Sequence, residues 1–226
     1  MHSVVINLDN FGLPPNKRRL TFEFIDPVWA WVQLAGDQPA EGLHWVPQTQ
    51  HVAGDPRTNL YGGGLQYGEA FHTAYQSCPR GTFPMLISLH WDGSNAYGLF
   101  ATPICIGLAN TNDMSADTQY CIGYIPVVSD LGAKFESQAT EIKFHIRNEC
   151  VAEILRVLET YAVTGVRCRV PSVNPIAKED EKILFPRLFS MNLDQPEAQL
   201  YHGMKNRWYV LRVCPYSYSN YHVLYP

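Results

Sequence analysis

The sequence carries little net charge, no CxxC pair, no GxSxG elbow and no apolar stretch near the ~18 residues that a membrane-spanning helix needs. Each absence removes a class. A formal charge of −4 provides no overall basic surface, which argues against a stand-alone DNA binder. Any contact with nucleic acid then needs a local patch or another part of a larger protein. The six cysteines, Cys78, Cys105, Cys121, Cys150, Cys168 and Cys214, are scattered along the chain, which reads as reduced core thiols rather than a disulfide frame. The first residues lack a basic start followed by a long apolar core, so the expectation is a soluble, intracellular chain with no membrane contact.

What is present is ordinary globular composition, 46% hydrophobic and 17% charged. Residues 3–8 predict a short strand, and Lys17-Arg18-Arg19 a solvated loop or a phosphate contact. Asp26-Pro27 predicts the cap and first turn of a helix carrying Val28, Trp29, Trp31, Val32 and Leu34, ended by Gly36 and, being aromatic around much of its girth, buried against several neighbours. Residues 36–64 read as loop. Tyr61-Gly62-Gly63-Gly64 lacks the Lys-Ser/Thr pair of a phosphate loop, and its glycines suit a turn. A short amphipathic helix follows over 65–77.

Three apolar strands come next, from Pro84 to Trp91, from Pro103 to Ala109 and from Gln119 to Val128, which suggests an antiparallel meander with Pro126 marking the third as an edge. In the first, Met85, Ile87, Leu89 and Trp91 share one face, and Leu86, Ser88, His90 and Asp92 share the other. A helix of about seven turns starts near Ser137, with Ile142, Ile146, Cys150, Ile154 and Leu158 at i, i+4 steps, and Gly165 stops it. His145 lies beside that stripe and reads as partly buried helix surface. After a linker over 171–182, a fourth apolar stretch runs from Ile183 to Asp194.

If the long helix carries a right-handed crossover, this fourth strand can lie parallel beside the first, and Asp92 and Asp194 then share one end of the sheet. Two carboxylates about 4 Å apart repel by roughly 4 kcal/mol at an effective dielectric near 20, so such a pair holds a proton or a cation, and its oxygens suit Mg²⁺ or Mn²⁺. Such a site serves metal-assisted phosphoryl transfer, with His90 as a supporting hydrogen bonder. The structural alternatives are that Asp92-Gly93 is a turn dipeptide and Asp194 a helix cap before Pro196.

The segments LHWDGSNAYGLFATPICIGLANTN, YCIGYIPVV and LFPRLFSMNLDQPEAQLYHGMKN resemble the Plavaka-type and related KDZ-type transposases of cut-and-paste DNA elements. The resemblance spans residues 80–206. It implies an incomplete ribonuclease H-like core (antiparallel meander, long helix, fourth parallel strand) over 81–206, followed by a divergent aromatic tail over 207–226. Residues 1–80 form a separate domain or an N-terminal extension packed on the core, and the need of their aromatic helix for burial favours the packed extension. The resemblance also implies that Asp92 and Asp194 are the first two of three catalytic, metal-binding acids. DNA would be the partner of intact relatives, cleaved and transferred in the nucleus. The family's third acid and zinc-knuckle-like insertion find no match, since Cys214 and His222 supply at most two of a zinc site's four ligands. The expectation is therefore a truncated, inactive chain with vestigial metal ligands. The competing expectations are a non-enzymatic module that binds a partner, or itself, through an exposed fourth-strand edge and aromatic tail, and a metal-independent hydrolase using His90 or a cysteine.

Overall fold

Strand β5 (Phe83–Trp91) is buried along nearly its whole length, and the sheet is built outward from it. The computed structural model describes residues 1–52, 55–60, 65–91, 94–96, 99–111, 118–128, 131–174 and 176–192. Both faces of β5 are covered. Met85, Ile87, Leu89 and Trp91 enter the main core, whereas Leu86 points the other way into a smaller cluster with Phe71, Ala74 and Ala109.

Strand β8 (Pro103–Leu108) pairs antiparallel with β5, and β9 (Gln119–Tyr124) pairs antiparallel with β8. On the other side of β5 lies β11 (Glu179–Asn192), parallel to it. The meander and the parallel fourth strand are thus present, within a mixed sheet of seven strands. Beyond β9 the sheet continues through β2 (Arg19–Phe24) to β1 (His2–Asn7), and beyond β11 it ends on β10 (Val166–Pro171), giving the order β1-β2-β9-β8-β5-β11-β10.

Three expectations are corrected here. The third strand is not an edge: Phe24 pairs with Gly123 and the Ile25 N–H donates to the Ile122 carbonyl at 2.7 Å, while Pro126 falls past the strand's end. The fourth strand is covered on its outer side along its first half, where β10 pairs with Glu179–Leu184 in a hairpin, and from Leu184 to Asn192 its described pairing is with β5. The supposed linker over 171–182 is the turn of that hairpin and the start of β11. Finally, residues 36–64 are not all loop, since β3 (Gln50–Val52) pairs with β4 (Asp55–Leu60). The turn after β5 likewise includes a second small ribbon, β6 (Ser94–Ala96) with β7 (Leu99–Ala101).

Helix α1 (Pro27–Gly36) begins as its sequence requires. One Asp26 oxygen accepts the N–H groups of Val28 at 2.9 Å and Trp29 at 3.1 Å. Its other oxygen lies 3.2 Å from His2 Nε2 on β1 and accepts the Tyr161 hydroxyl of α3 (Ala139–Thr164) at 3.3 Å. The carboxylate's charge holds that hydroxyl above the usual tyrosine range. One side chain thereby ties β1, α1 and α3 together. Replacing it in Asp26→Ala is expected to cost about 1–2 kcal/mol, and Asp26→Asn, which can still cap, clearly less, as read by urea denaturation.

Trp31 is fully buried on α1 and donates its indole N–H to the Leu86 carbonyl at 2.9 Å, whereas Trp29 remains 49% exposed and meets Tyr120 edge-on, so the helix is less enclosed than its aromatics imply. In α3 the buried residues are Ile142, Ile146, Cys150, Val151, Ile154 and Leu158, one stripe at helical period. Helix α2 (Glu69–Gln76) covers the opposite face of the sheet through Phe71 and Ala74. Among the described residues no helix is long and apolar enough to cross a membrane.

Candidate metal centre

Asp92 and Asp194 lie outside the described residues, as do Gly62-Gly63-Gly64, Cys214 and the tyrosines of the tail. What the structure does define is the approach to both acids. Strands β5 and β11 run side by side in the same direction, from Leu184 opposite Phe83 to Asn192 opposite His90. The register changes once, between Leu188 and Ser190, where Phe189 is an extra residue on β11.

That extra residue has a packing cause. Leu188 and Met191 both pack against the main core, yet three positions apart on a regular strand they would face opposite ways. Phe189 meanwhile joins the small cluster of Phe71, Ala74, Leu86 and Ala109 on the other side. Satisfying both cores therefore forces the bulge, and the bulge moves Asn192 from register with Trp91 to register with His90.

His90 is partly buried, and its strand neighbours are Asn192 on one side and Cys105 on the other. It is the one predicted site residue whose surroundings the structure gives. His145 is structural: its Nε2 lies 3.1 Å from the Asn7 carbonyl and its ring 5.4 Å from that of Phe11. The basic run of Lys17, Arg18 and Arg19 is split between a 3₁₀ turn and the start of β2, with Arg18 donating to the Leu13 carbonyl. Among the described residues no three His, Cys, Asp or Glu side chains are grouped to hold a metal. A cavity of about 370 Å³ between the end of α1 and the β10–β11 hairpin is lined by Gln38, Glu41, Arg169 and Lys178, and includes none of the predicted site residues.

The thiols divide into two kinds. Burial pushes Cys150 up to about 12 and Cys168 up to about 11, as befits inert core residues. Cys105 and Cys121 are partly exposed and stand directly opposite one another on β8 and β9, a juxtaposition that strand composition alone does not reveal. Asn110 is fully buried beside the start of β5. Compared with protein-family models, with curated proteins and with solved structures, the chain matches none.

Proposed function

We propose that the chain carries part of a ribonuclease H-like core of the transposase type, in which Asp92 and Asp194 bind Mg²⁺ or Mn²⁺ where β5 and β11 end. The observation that supports this reading is the parallel register after Phe189. Asn192 stands opposite His90, and each acid follows its strand's residue by two positions, so the same register, if carried forward, would set Asp194 opposite Asp92. Without the bulge it would set Asp194 opposite Gly93. A strand order of three antiparallel neighbours with a fourth strand parallel to the first is the other support.

The donor set fits the ion. Two carboxylates on adjacent strand ends offer hard oxygen ligands and share a charge that a divalent cation relieves. A bound ion would supply Lewis-acid activation of a phosphodiester, the substrate class that the transposase resemblance implies, with DNA as the partner. Around it, the two strands would hold the carboxylates side by side, and His90, partly buried near the end of β5, would lend a ring nitrogen.

The test is calorimetric titration of the folded chain with Mg²⁺ and Mn²⁺. The expected result is one site in the unsubstituted chain, weakened at least about tenfold (about 1.4 kcal/mol) by either Asp92→Asn or Asp194→Asn. Absence of binding to a folded chain, or binding indifferent to both substitutions, would make the acids a turn residue and a helix cap.

A further inference from the structure

We propose that Cys105 and Cys121 form an oxidisable dithiol, a modification site for low-molecular-weight disulfides of the glutathione class, which closes into a cross-strand disulfide between β8 and β9. The inference is independent of the metal site. Its basis is position: the two residues are direct Cα partners in an antiparallel pair. Such partners have Cα atoms about 4.5–5.5 Å apart and Cβ atoms on one side of the sheet. A disulfide requires a Cα separation of about 4.4–6.8 Å, a range that includes such partners, and this pair is the first in register after the shift between Ile104 and Cys105.

The face they share is the one turned away from the main core. On β8, Ile104 and Ile106 are fully buried while Cys105 between them is partly exposed, and on β9 Cys121 is partly exposed beside buried Ile122. Neither sulfur is in a disulfide. The side chains already interact: burial, the charge of Cys121 and a hydrogen bond to Cys121 together push the Cys105 thiol up to about 11. Tyr124, 60% exposed, has its hydroxyl raised first by its hydrogen bond with Cys121, which places that sulfur beside a solvent-facing side chain.

Exposure assigns the order of events, since Cys121 lies beside the solvent-facing Tyr124. Cys121 loses its proton to solvent and attacks one sulfur of the small disulfide, forming a mixed disulfide and releasing one small thiolate. Cys105 then loses its proton to solvent and attacks the Cys121 sulfur, expelling the second small thiolate. Two protein thiols are oxidised, one small disulfide is reduced to two thiols, and no other oxidant is needed. The new bond spans the segment between β8 and β9 and constrains the unfolded chain.

The experiment incubates the full-length reduced chain with oxidised glutathione in native buffer, blocks remaining thiols with iodoacetamide and maps peptides by mass spectrometry. The expected result is a Cys105–Cys121 cross-link with Cys150 and Cys168 unlinked, and a melting temperature raised by about 6–12 °C. In Cys105→Ser, checked for folding by circular dichroism, Cys121 should persist as a glutathione mixed disulfide. Recovery of Cys105 and Cys121 as unlinked peptides overturns the proposal, as does linkage of either to another cysteine. A Cys105→Ser chain that folds but leaves Cys121 unmodified overturns the order of attack.

Discussion

Replacing Asn110 with alanine is expected to lower the unfolding free energy by about 3–4 kcal/mol, the largest loss at any polar position of the core. This amide is fully buried and uses both of its ends. Its oxygen accepts the Leu86 N–H at 2.6 Å, and its nitrogen donates to the Pro84 carbonyl at 3.1 Å and the His44 carbonyl at 2.9 Å. The backbone adds a further bond, from the His44 N–H to the Asn110 carbonyl at 2.7 Å. One side chain thus completes β5 beyond the end of β8 and fastens the loop that brings Trp45 against Trp31 and Phe83.

Alanine would leave the Leu86 N–H and the Pro84 carbonyl without these partners in a dry interior, at about 1–3 kcal/mol each, and free the Trp45 loop as well. Asn110→Asp should cost at least as much despite its shape, because a carboxylate would aim acceptors at two carbonyls. Urea denaturation checks both. A loss under about 1 kcal/mol for either would show that water replaces the amide and that the loop is not held through it.

The second large effect is expected at Gly165, where Gly165→Ala should cost about 3 kcal/mol or more. The residue takes the chain from the last turn of α3 into β10 in a single step, with φ of 70° and ψ of 166°, a conformation that is essentially confined to glycine. Its N–H closes the helix on the Tyr161 carbonyl at 2.8 Å. Space is lacking too, because a Cβ there would stand 2.9 Å and 3.0 Å from two atoms of the Phe185 ring and 3.2 Å from Ile183 Cγ2. The two causes separate experimentally. Phe185→Leu should remove part of the clash but none of the backbone strain, so the double substitution should fall short of additivity by about 1 kcal/mol. Full additivity would mean that the ring moves aside freely and that conformation alone sets the cost.

Gly165 also shows what the sequence makes legible. The i, i+4 stripe from Ile142 to Leu158 is a local periodic signal, and a glycine after it is a local stop, so helix and terminus are both readable. Asp26-Pro27 is readable for the same reason, since a cap and its helix are neighbours in the chain. The alternation of β5 gives its two faces correctly because strand periodicity is local as well.

Features that depend on distant partners are less legible. Strand β10 follows Gly165 with no intervening turn, and its alternating Val166, Cys168 and Val170 are a usable but short signal interrupted by Arg167 and Arg169. Pairing of β2 with β9 joins residues about a hundred positions apart and leaves no mark in either segment. Asn110 resembles a turn residue because sequence does not distinguish an amide that faces water from one that satisfies a buried backbone. The register of β11 against the end of β5 is set by Phe189, whose role emerges only when the two apolar clusters on opposite faces of the sheet are seen together.

The most direct test of the central claim is a crystal of the full chain soaked in Mn²⁺, with the anomalous signal of the metal used to locate it. The account predicts one ion bridging the Asp92 and Asp194 carboxylates at oxygen-ligand distances, at the ends of β5 and β11, displaced when Mg²⁺ is in excess. Carboxylates directed to different sides of the sheet, or manganese bound only elsewhere, would contradict it.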